Sequence, residues 1–174
     1  MPLKKTLKII LLSIFSLSVQ VAKADDWPCT VVLCLANPKG PTAVAECVAP
    51  IKKLFRELAK GKGFPFCDMN SGSTTGANSA RNQYANGENC PPQYRYYFSN
   101  GDSEQLLCPY AGVITVKIND EPYVRVWWNN SGSVTEALSE NAATQVSPKF
   151  ETDYKVWKKQ QEEAARLNSL NQNQ

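Results

Sequence analysis

One segment of the chain carries a clear helical pattern of apolar residues. Apolar residues recur three and four positions apart, as on one face of an amphipathic helix; they are Val44, Cys47, Val48, Ile51, Leu54, Phe55 and Leu58. Pro50 stands inside this pattern and is expected to kink or split the helix. A cluster of helix breakers at 37–41 follows a shorter apolar segment at 30–36 and predicts a turn. These segments together predict a helical hairpin.

A second pattern, with a period of two, runs from Gly112 to Asn130. Apolar residues alternate with others on both sides of a turn signal at 119–122; they are Ile114, Val116, Ile118, Val124, Val126 and Trp128. The pattern predicts a two-stranded antiparallel hairpin with one apolar face. Because a lone hairpin is marginally stable in water, we expect this face to pack on the helices.

The other segments have weaker patterns. Asp68–Asn89 is rich in Asn and Gly, and we expect a long surface loop, functional or mobile, or a frayed helix around Ala80–Tyr84. Aromatic residues at 94–98 predict a strand before a turn signal at 100–102. A last helix is expected from Pro148 to Leu170.

The N-terminal 24 residues have the pattern of a secretory signal peptide. Three lysines precede an apolar run at 9–19, and a small-x-small cleavage site follows at 22–24. The apolar run is too short for a comfortable membrane span, and no stable membrane insertion is expected after cleavage. We therefore expect a periplasmic protein with one disulfide-rich domain at 25–150. A C-terminal helix and a disordered polar tail are expected at 151–174.

Removal of this segment changes the charge of the protein. The whole chain has 19 Lys and Arg against 16 Asp and Glu, a net charge of +3. Four of the lysines lie in the first 24 residues, which leaves 15 basic against 16 acidic residues. No global basic field is left to attract nucleic acid, so nucleic acid is not expected as a partner.

The cysteines predict disulfide bonds rather than a metal or redox site. An even number in an exported chain is typical of disulfides, and all six follow the signal segment: Cys29, Cys34, Cys47, Cys67, Cys90 and Cys108. The chain has no C-x-x-C motif and no histidine. These absences argue against a thioredoxin-like motif, His-based catalytic triads and ordinary zinc sites, so no metal or cofactor is expected.

Two connectivities fit the first four cysteines. Symmetry about a turn near Pro38 favours Cys29–Cys47, which leaves Cys34 to pair with Cys67. The alternative joins Cys34 to Cys47 and Cys29 to Cys67, and the sequence does not decide between them. Cys90 and Cys108 flank the aromatic segment and are expected to pair.

No pair of acidic residues is placed for catalysis. A glycosidase-like mechanism needs carboxyl groups about 5–10 Å apart. Glu46 and Glu57 share a helix face, but their separation of 11 residues places them about 16 Å apart. We therefore predict no catalytic residues and no enzymatic activity.

Two sets of side chains are candidates for partner binding. Lys52, Arg56 and Lys60 stand at intervals of four residues and form one row on the predicted helix. Arg125 and Trp127 belong to the densest aromatic and cationic cluster, and such residues often anchor interfaces. By strand alternation, one of Trp127 and Trp128 is expected to face the core and the other to point outward.

Two stretches of sequence resemble a known family. They are CTVVLCLANPKGP with Cys47, PIKKL and FPFC, and then CPYAGVITVKINDEPYVRVWW. Both are similar to the TrbM/KikA family of plasmid conjugal-transfer proteins, over roughly residues 27–67 and 108–140. The resemblance implies an exported accessory of a type IV secretion system, encoded with mating-pair-formation genes and without enzymatic activity. It also implies that the cysteine framework of residues 29–67 is shared.

The expected fold is therefore α+β and mainly helical. A disulfide-stapled helical hairpin would pack on a small antiparallel β-hairpin, with a helix at the C-terminus. The expected function is to support plasmid DNA transfer through contacts with type IV secretion or other envelope proteins, or with a second copy of the chain. The alternatives are a peptidoglycan-acting enzyme of the transfer apparatus and an exclusion or host-damaging factor.

Overall fold

A computed structural model describes residues 27–67, 78–145 and 149–172. Helices take up 39% and strands 27% of these residues, and the strands form two antiparallel sheets. The fold is α+β, but the prediction of a mainly helical protein is wrong. The predicted signal peptide lies outside the described residues, as do residues 68–77 of the predicted loop.

Ten elements follow one another along the described chain. The helices are α1 (Trp27–Leu35), α2 (Ala45–Ala59), α3 (Glu140–Ala143) and α4 (Lys149–Gln172). The strands are β1 (Ser79–Tyr84), β2 (Tyr96–Ser99), β3 (Glu104–Leu107), β4 (Gly112–Ile118), β5 (Glu121–Asn129) and β6 (Gly132–Ala137).

The first two helices form the predicted helical hairpin. Pro28 lies in the first turn of α1, where a missing N–H costs no hydrogen bond. Pro50 does not split α2, which runs unbroken from Ala45 to Ala59. The chain is held on both sides of Pro50, because Cys47 is disulfide-bonded and the side chain of Ile51 is fully buried.

The disulfides join Cys29 to Cys67, Cys34 to Cys47 and Cys90 to Cys108. The favoured pairing of Cys29 with Cys47 and of Cys34 with Cys67 is therefore wrong, whereas the third pair is confirmed. The hairpin connection spans residues 36–44, so its midpoint lies near residue 40 rather than at Pro38. This shift places Cys34 opposite Cys47, and the chain after α2 returns to the start of α1.

The predicted β-hairpin is the centre of a four-stranded sheet. The strand order is β1-β4-β5-β6, and all neighbours are antiparallel. Asn119 and Asp120 join β4 to β5 with φ angles of 53° and 64°, as in the two-residue turns that match strand twist. The register shifts between Val116 and Lys117, beside Pro122, which has no N–H to donate.

Residues 79–84 form the edge strand β1, so neither a loop nor a frayed helix is correct for this part of the predicted Asp68–Asn89 loop. The strand pairs with β4 along its whole length, from Ser79 opposite Lys117 to Tyr84 opposite Gly112. Its polar residues suit an edge position, where alternate side chains face solvent. Asn82 nevertheless faces inward, and its Oδ1 accepts a hydrogen bond of 2.8 Å from Nε1 of Trp128.

The central sheet has apolar side chains on both faces. The face toward α1 and α2 carries the main core, which includes Ile114, Val116, Val124, Val126 and Trp128. The opposite face carries a smaller cluster formed by Val113, Trp127, Val134 and Phe150. Phe150 belongs to α4, so the C-terminal helix covers part of the second face. The centre of the sheet therefore lies between the helical hairpin and the first turn of α4.

The second sheet is a small ribbon formed by β2 and β3. Cys90 and Cys108 are joined just outside its two strands, as the sequence predicts. Gly87 lies directly against it, since an added Cβ would stand only 2.1 Å from the carbonyl oxygen of Leu106. Three aromatic side chains of β2 are exposed: Tyr96, Tyr97 and Phe98.

Among the residues that the structure describes, the C-terminal helix contacts the domain only at its beginning. Phe150 is buried and Asp153 and Trp157 are half-buried, but every described residue after Trp157 is exposed. The helix extends to Gln172, past Leu170, where the apolar pattern predicts its end. In the described part of the chain, no helix combines the length and apolar character needed to cross a membrane.

Candidate functional site

A groove of about 800 Å³ lies between α2 and the turn that joins β5 to β6. Val48, Ile51 and Phe55 form its apolar floor, and Lys52 and Arg56 stand on the rim of the same helix. The residues at 129–133 form the opposite wall, which offers amide and hydroxyl groups. The groove therefore combines an apolar floor, a cationic rim and a hydrogen-bonding wall.

The floor is held in place by the main core. Phe55 stacks on Trp128 with ring centroids 5.3 Å apart and an angle of 8° between the ring planes. Ile51 is fully buried one turn earlier, and the disulfide through Cys47 fixes the beginning of α2. The floor is consequently a fixed surface.

The wall is held by one asparagine at the end of β5. Oδ1 of Asn129 accepts hydrogen bonds from the backbone N–H groups of Ser131 (2.8 Å) and Gly132 (2.9 Å). Its Nδ2 donates to the carbonyl oxygen of Pro109 at 3.0 Å. Both the oxygen and the nitrogen of the Asn129 side chain are thus hydrogen-bonded to backbone groups of the protein. Asn130 and Ser131 are exposed beside it.

The cations on the rim differ from the neighbouring cations of α2. Neither Lys52 nor Arg56 takes part in an ion pair among the described residues. Lys60, the third member of the predicted row, does not line the groove and lies 3.9 Å from a carboxylate oxygen of Glu57. Hence only two of the three predicted residues meet at the groove.

Glu57 is the counterion of the C-terminal end of α2. It pairs with both Lys60 and Lys62. The hydrogen bond from Lys62 lowers the pKa of Glu57, and the nearby lysine charges add to this effect against partial desolvation. Lys53 lies 4.0 Å above the ring of Trp27, in a cation–π contact. Among the cations of α2, Lys52 and Arg56 are thus the two whose charges are available to a ligand in the groove.

The second predicted set does not form an exposed anchor. Trp127 is only 2% exposed, so the expectation that one of the two tryptophans points outward is wrong. Its Nε1 donates to Oε2 of Glu136 at 3.1 Å, and Arg125 Nη1 lies 3.3 Å from the same oxygen. Trp127 is buried because its face of the sheet carries a second apolar cluster, which includes Phe150 of α4. The alternating pattern of the sequence alone predicts that this face is exposed to solvent.

A smaller cavity of about 400 Å³ adjoins this cluster. Arg125, Trp127 and Glu136 line it together with the 89–93 segment and the start of α4. Both polar side-chain atoms of Gln93 are buried there and have no hydrogen-bond partner in the part of the chain that the structure describes. Because the opposite charges of Arg125 and Glu136 pair with each other, this cavity is less suited to bind a charged ligand than the groove is.

Asp153 connects α4 to the loop before β2. Its Oδ2 accepts hydrogen bonds from the hydroxyl of Tyr94 (2.7 Å) and from Nζ of Lys149 (2.8 Å). Partial burial raises the pKa of Asp153, but the hydrogen bonds from Lys149 and Tyr94 outweigh it, and the net shift is downward. Burial and the bond to Asp153 raise the pKa of Tyr94, which keeps its proton.

We expect the Asp153→Asn variant to lose less stability in acid than the wild type. A lowered pKa in the folded state means that ionised Asp153 stabilises the fold above about pH 4, and this contribution is lost as the pH falls through the folded-state pKa. Urea unfolding between about pH 6 and pH 2 measures how steeply the free energy of unfolding changes with pH in each variant. Asp102→Asn, on an exposed turn, is the control, and equal slopes in both variants would refute the role of Asp153.

The described residues contain no group of three or more His, Cys, Asp or Glu side chains arranged to hold a metal ion. All six cysteines are in disulfides. A comparison with known protein families, curated proteins and solved structures found no match for this chain.

The rim of the groove is predictable from the sequence, whereas its wall is not. The Asn-Asn-Ser-Gly-Ser run at 129–133 is rich in turn-forming residues, and this signal predicts a tight turn. Nothing in the local pattern shows that the turn would stand opposite α2. The floor residues are visible only as part of the apolar stripe of the helix.

Proposed function

We propose that this chain is a non-catalytic, exported accessory protein that binds another protein in the groove beside α2. The observation that carries this proposal is a pair of cations above an apolar floor, Lys52 and Arg56, neither of which has an ion-pair partner among the described residues. The proposed apparatus is a conjugative type IV secretion system of the cell envelope. That part of the proposal rests on the sequence resemblance of residues 27–67 and 108–140 alone.

The disulfides support an extracytoplasmic location. Disulfides form and persist in oxidising compartments such as the periplasm, and this chain has three. Two of them hold the helical hairpin that presents the groove. The N-terminal signal pattern, which lies outside the described residues, supports the periplasm as the destination.

The chemistry of the groove favours binding over hydrolysis. A glycosidase-type enzyme that cuts peptidoglycan needs a pair of carboxyl groups, one of which holds its proton near neutral pH. The groove is lined instead by two cations, amides, hydroxyls and apolar side chains. Among the described residues, the two carboxyl groups with shifted pKa values are Glu57 and Asp153; both pKa values are lowered, so these groups stay ionised near neutral pH.

Deletion of the gene from a donor strain tests the proposal. We expect the frequency of plasmid transfer to fall by at least about tenfold, and to recover when the gene is supplied in trans. A control plasmid that moves by an unrelated route should transfer normally, which excludes a general loss of donor fitness. Unchanged transfer in a clean deletion would refute the proposed apparatus.

A further inference from the structure

We infer that the ligand of the groove is an extended peptide segment in which two acidic residues flank one bulky apolar residue. The inference deepens the proposed function and rests on it, since it assumes that a partner protein occupies this groove. It specifies the side chains that the partner must offer and the order in which they must occur.

The spacing of the two cations sets the spacing of the acidic residues. Lys52 and Arg56 are separated by one helical turn, which is a rise of about 6 Å. In an extended peptide, side chains at positions i and i+2 lie on the same side of the chain and about 6.6 Å apart. Two carboxylates separated by one residue therefore match the two cations.

The floor sets the nature of the intervening residue. Along α2, Lys52 and Arg56 each lie one residue, or about 100°, beyond the buried side chains of Ile51 and Phe55. The cations thus stand at the mouth of the groove while the apolar side chains form its base. When residues i and i+2 of an extended segment turn toward the mouth, residue i+1 turns toward the base, where a bulky apolar side chain is favoured.

The wall suits a peptide backbone. An extended segment places its N–H and C=O groups sideways, between its two rows of side chains. The wall of the groove opposite α2 includes Asn130, Ser131 and Ser133, whose side chains can offer both donors and acceptors to such a backbone. An anionic polymer such as a polyphosphate would use the two cations but would leave the apolar floor without a partner.

Lys60, the residue that follows the last turn of α2 as its C-terminal cap, provides a matched control. It continues the row of Lys52 and Arg56 and is strongly exposed, but it lies outside the groove and pairs with Glu57. A charge reversal at Lys60 changes the charge of the protein and of α2 without changing the rim. Each charge reversal at the rim is therefore to be compared with Lys60→Glu.

The test measures peptide binding to the disulfide-bonded mature protein by fluorescence anisotropy. The first probe is a labelled peptide with Glu-Leu-Glu at its centre; the others replace this core with Gln-Leu-Gln or with Glu-Ser-Glu. We expect each change to raise Kd by at least about tenfold, because it removes either the ion pairs or the apolar anchor. The K52E and R56E variants should each weaken binding of the first peptide by at least about fivefold, and K60E by less than about twofold.

Three results would overturn the inference. They are equal binding of the three peptides, equal losses in K52E and K60E, and binding of inorganic polyphosphate as tight as that of the Glu-Leu-Glu peptide. Circular dichroism of each variant shows whether it is folded. The outcome is distinct from that of the deletion: normal plasmid transfer with selective peptide binding refutes the apparatus alone, whereas lost transfer without peptide selectivity refutes the inferred ligand.

Discussion

Replacement of Trp128 by alanine is expected to destabilise the protein by about 3–5 kcal/mol, at the upper end of what a single substitution costs. The side chain is fully buried between the sheet and α2 and stacks on Phe55. Its Nε1 also donates to Asn82, which ties the edge strand to the core. The substitution leaves a large cavity and an unpaired carboxamide oxygen, and each of these costs free energy.

Urea unfolding followed by circular dichroism measures the loss. Tyr97→Ala provides the control, because the tyrosine is also a large aromatic residue but is 69% exposed. Its free energy of unfolding should stay within about 0.5 kcal/mol of the wild type. A similar loss in both variants would mean that Trp128 is not the centre of the core. Since Phe55 rests on Trp128, the W128A variant should also bind the groove peptide weakly.

Removal of the Cys34–Cys47 disulfide, by changing both residues to alanine, is expected to cost about 3 kcal/mol. The bond closes a short loop, with a sequence separation of 13, and mainly restricts the unfolded chain. Both cysteines are buried in the main core, so the loss of their sulfur atoms adds a packing cost. The bond also fixes the first turn of α2, next to Val48 on the groove floor.

The Cys90–Cys108 disulfide provides the comparison. Its sequence separation of 18 is similar, so its removal should cost a similar free energy by the same loop argument. It lies beside the β2–β3 ribbon, and neither of its two cysteines lines the groove. We therefore expect both double variants to unfold at lower urea concentrations, while only the C34A/C47A protein loses peptide affinity under folding conditions. Equal affinities would show that the first disulfide does not shape the groove.

The elements found from sequence are those whose stability has a local signature. Helix α2 has a regular apolar stripe, and the β4–β5 hairpin has an alternating pattern around a turn at Asn119 and Asp120. In both cases the residues that enter the core also set the period of the pattern. Such segments are predictable because residues close together in the sequence form the apolar pattern that packing requires.

The elements missed are those stabilised from a distance. The β1 strand has a polar sequence and exists because it pairs with β4 and because Asn82 meets Trp128. The disulfide pairing depends on the length of the hairpin turn and on the return of Cys67 to Cys29, neither of which a local pattern contains. Trp127 is buried by Phe150, which arrives from the end of the chain.

The same distinction applies to the candidate site. The row of Lys52, Arg56 and Lys60 follows from helical spacing, because the first two belong to α2 and the third is its C-terminal cap. The groove does not follow, since its opposite wall comes from the turn at 129–133, more than seventy residues further along the chain. The wall stands opposite Lys52 and Arg56, whereas Lys60 lies outside the groove and pairs with Glu57.

The measurement that bears most directly on the central claim is plasmid transfer from a donor that lacks the gene and is complemented with variants. Wild type, the K52E/R56E double variant and K60E are supplied in turn, with equal periplasmic amounts verified by immunoblot. We expect wild type and K60E to restore transfer fully, and the double variant to remain at least about tenfold lower. Full restoration by the double variant would contradict the assignment of the groove as the partner-binding surface.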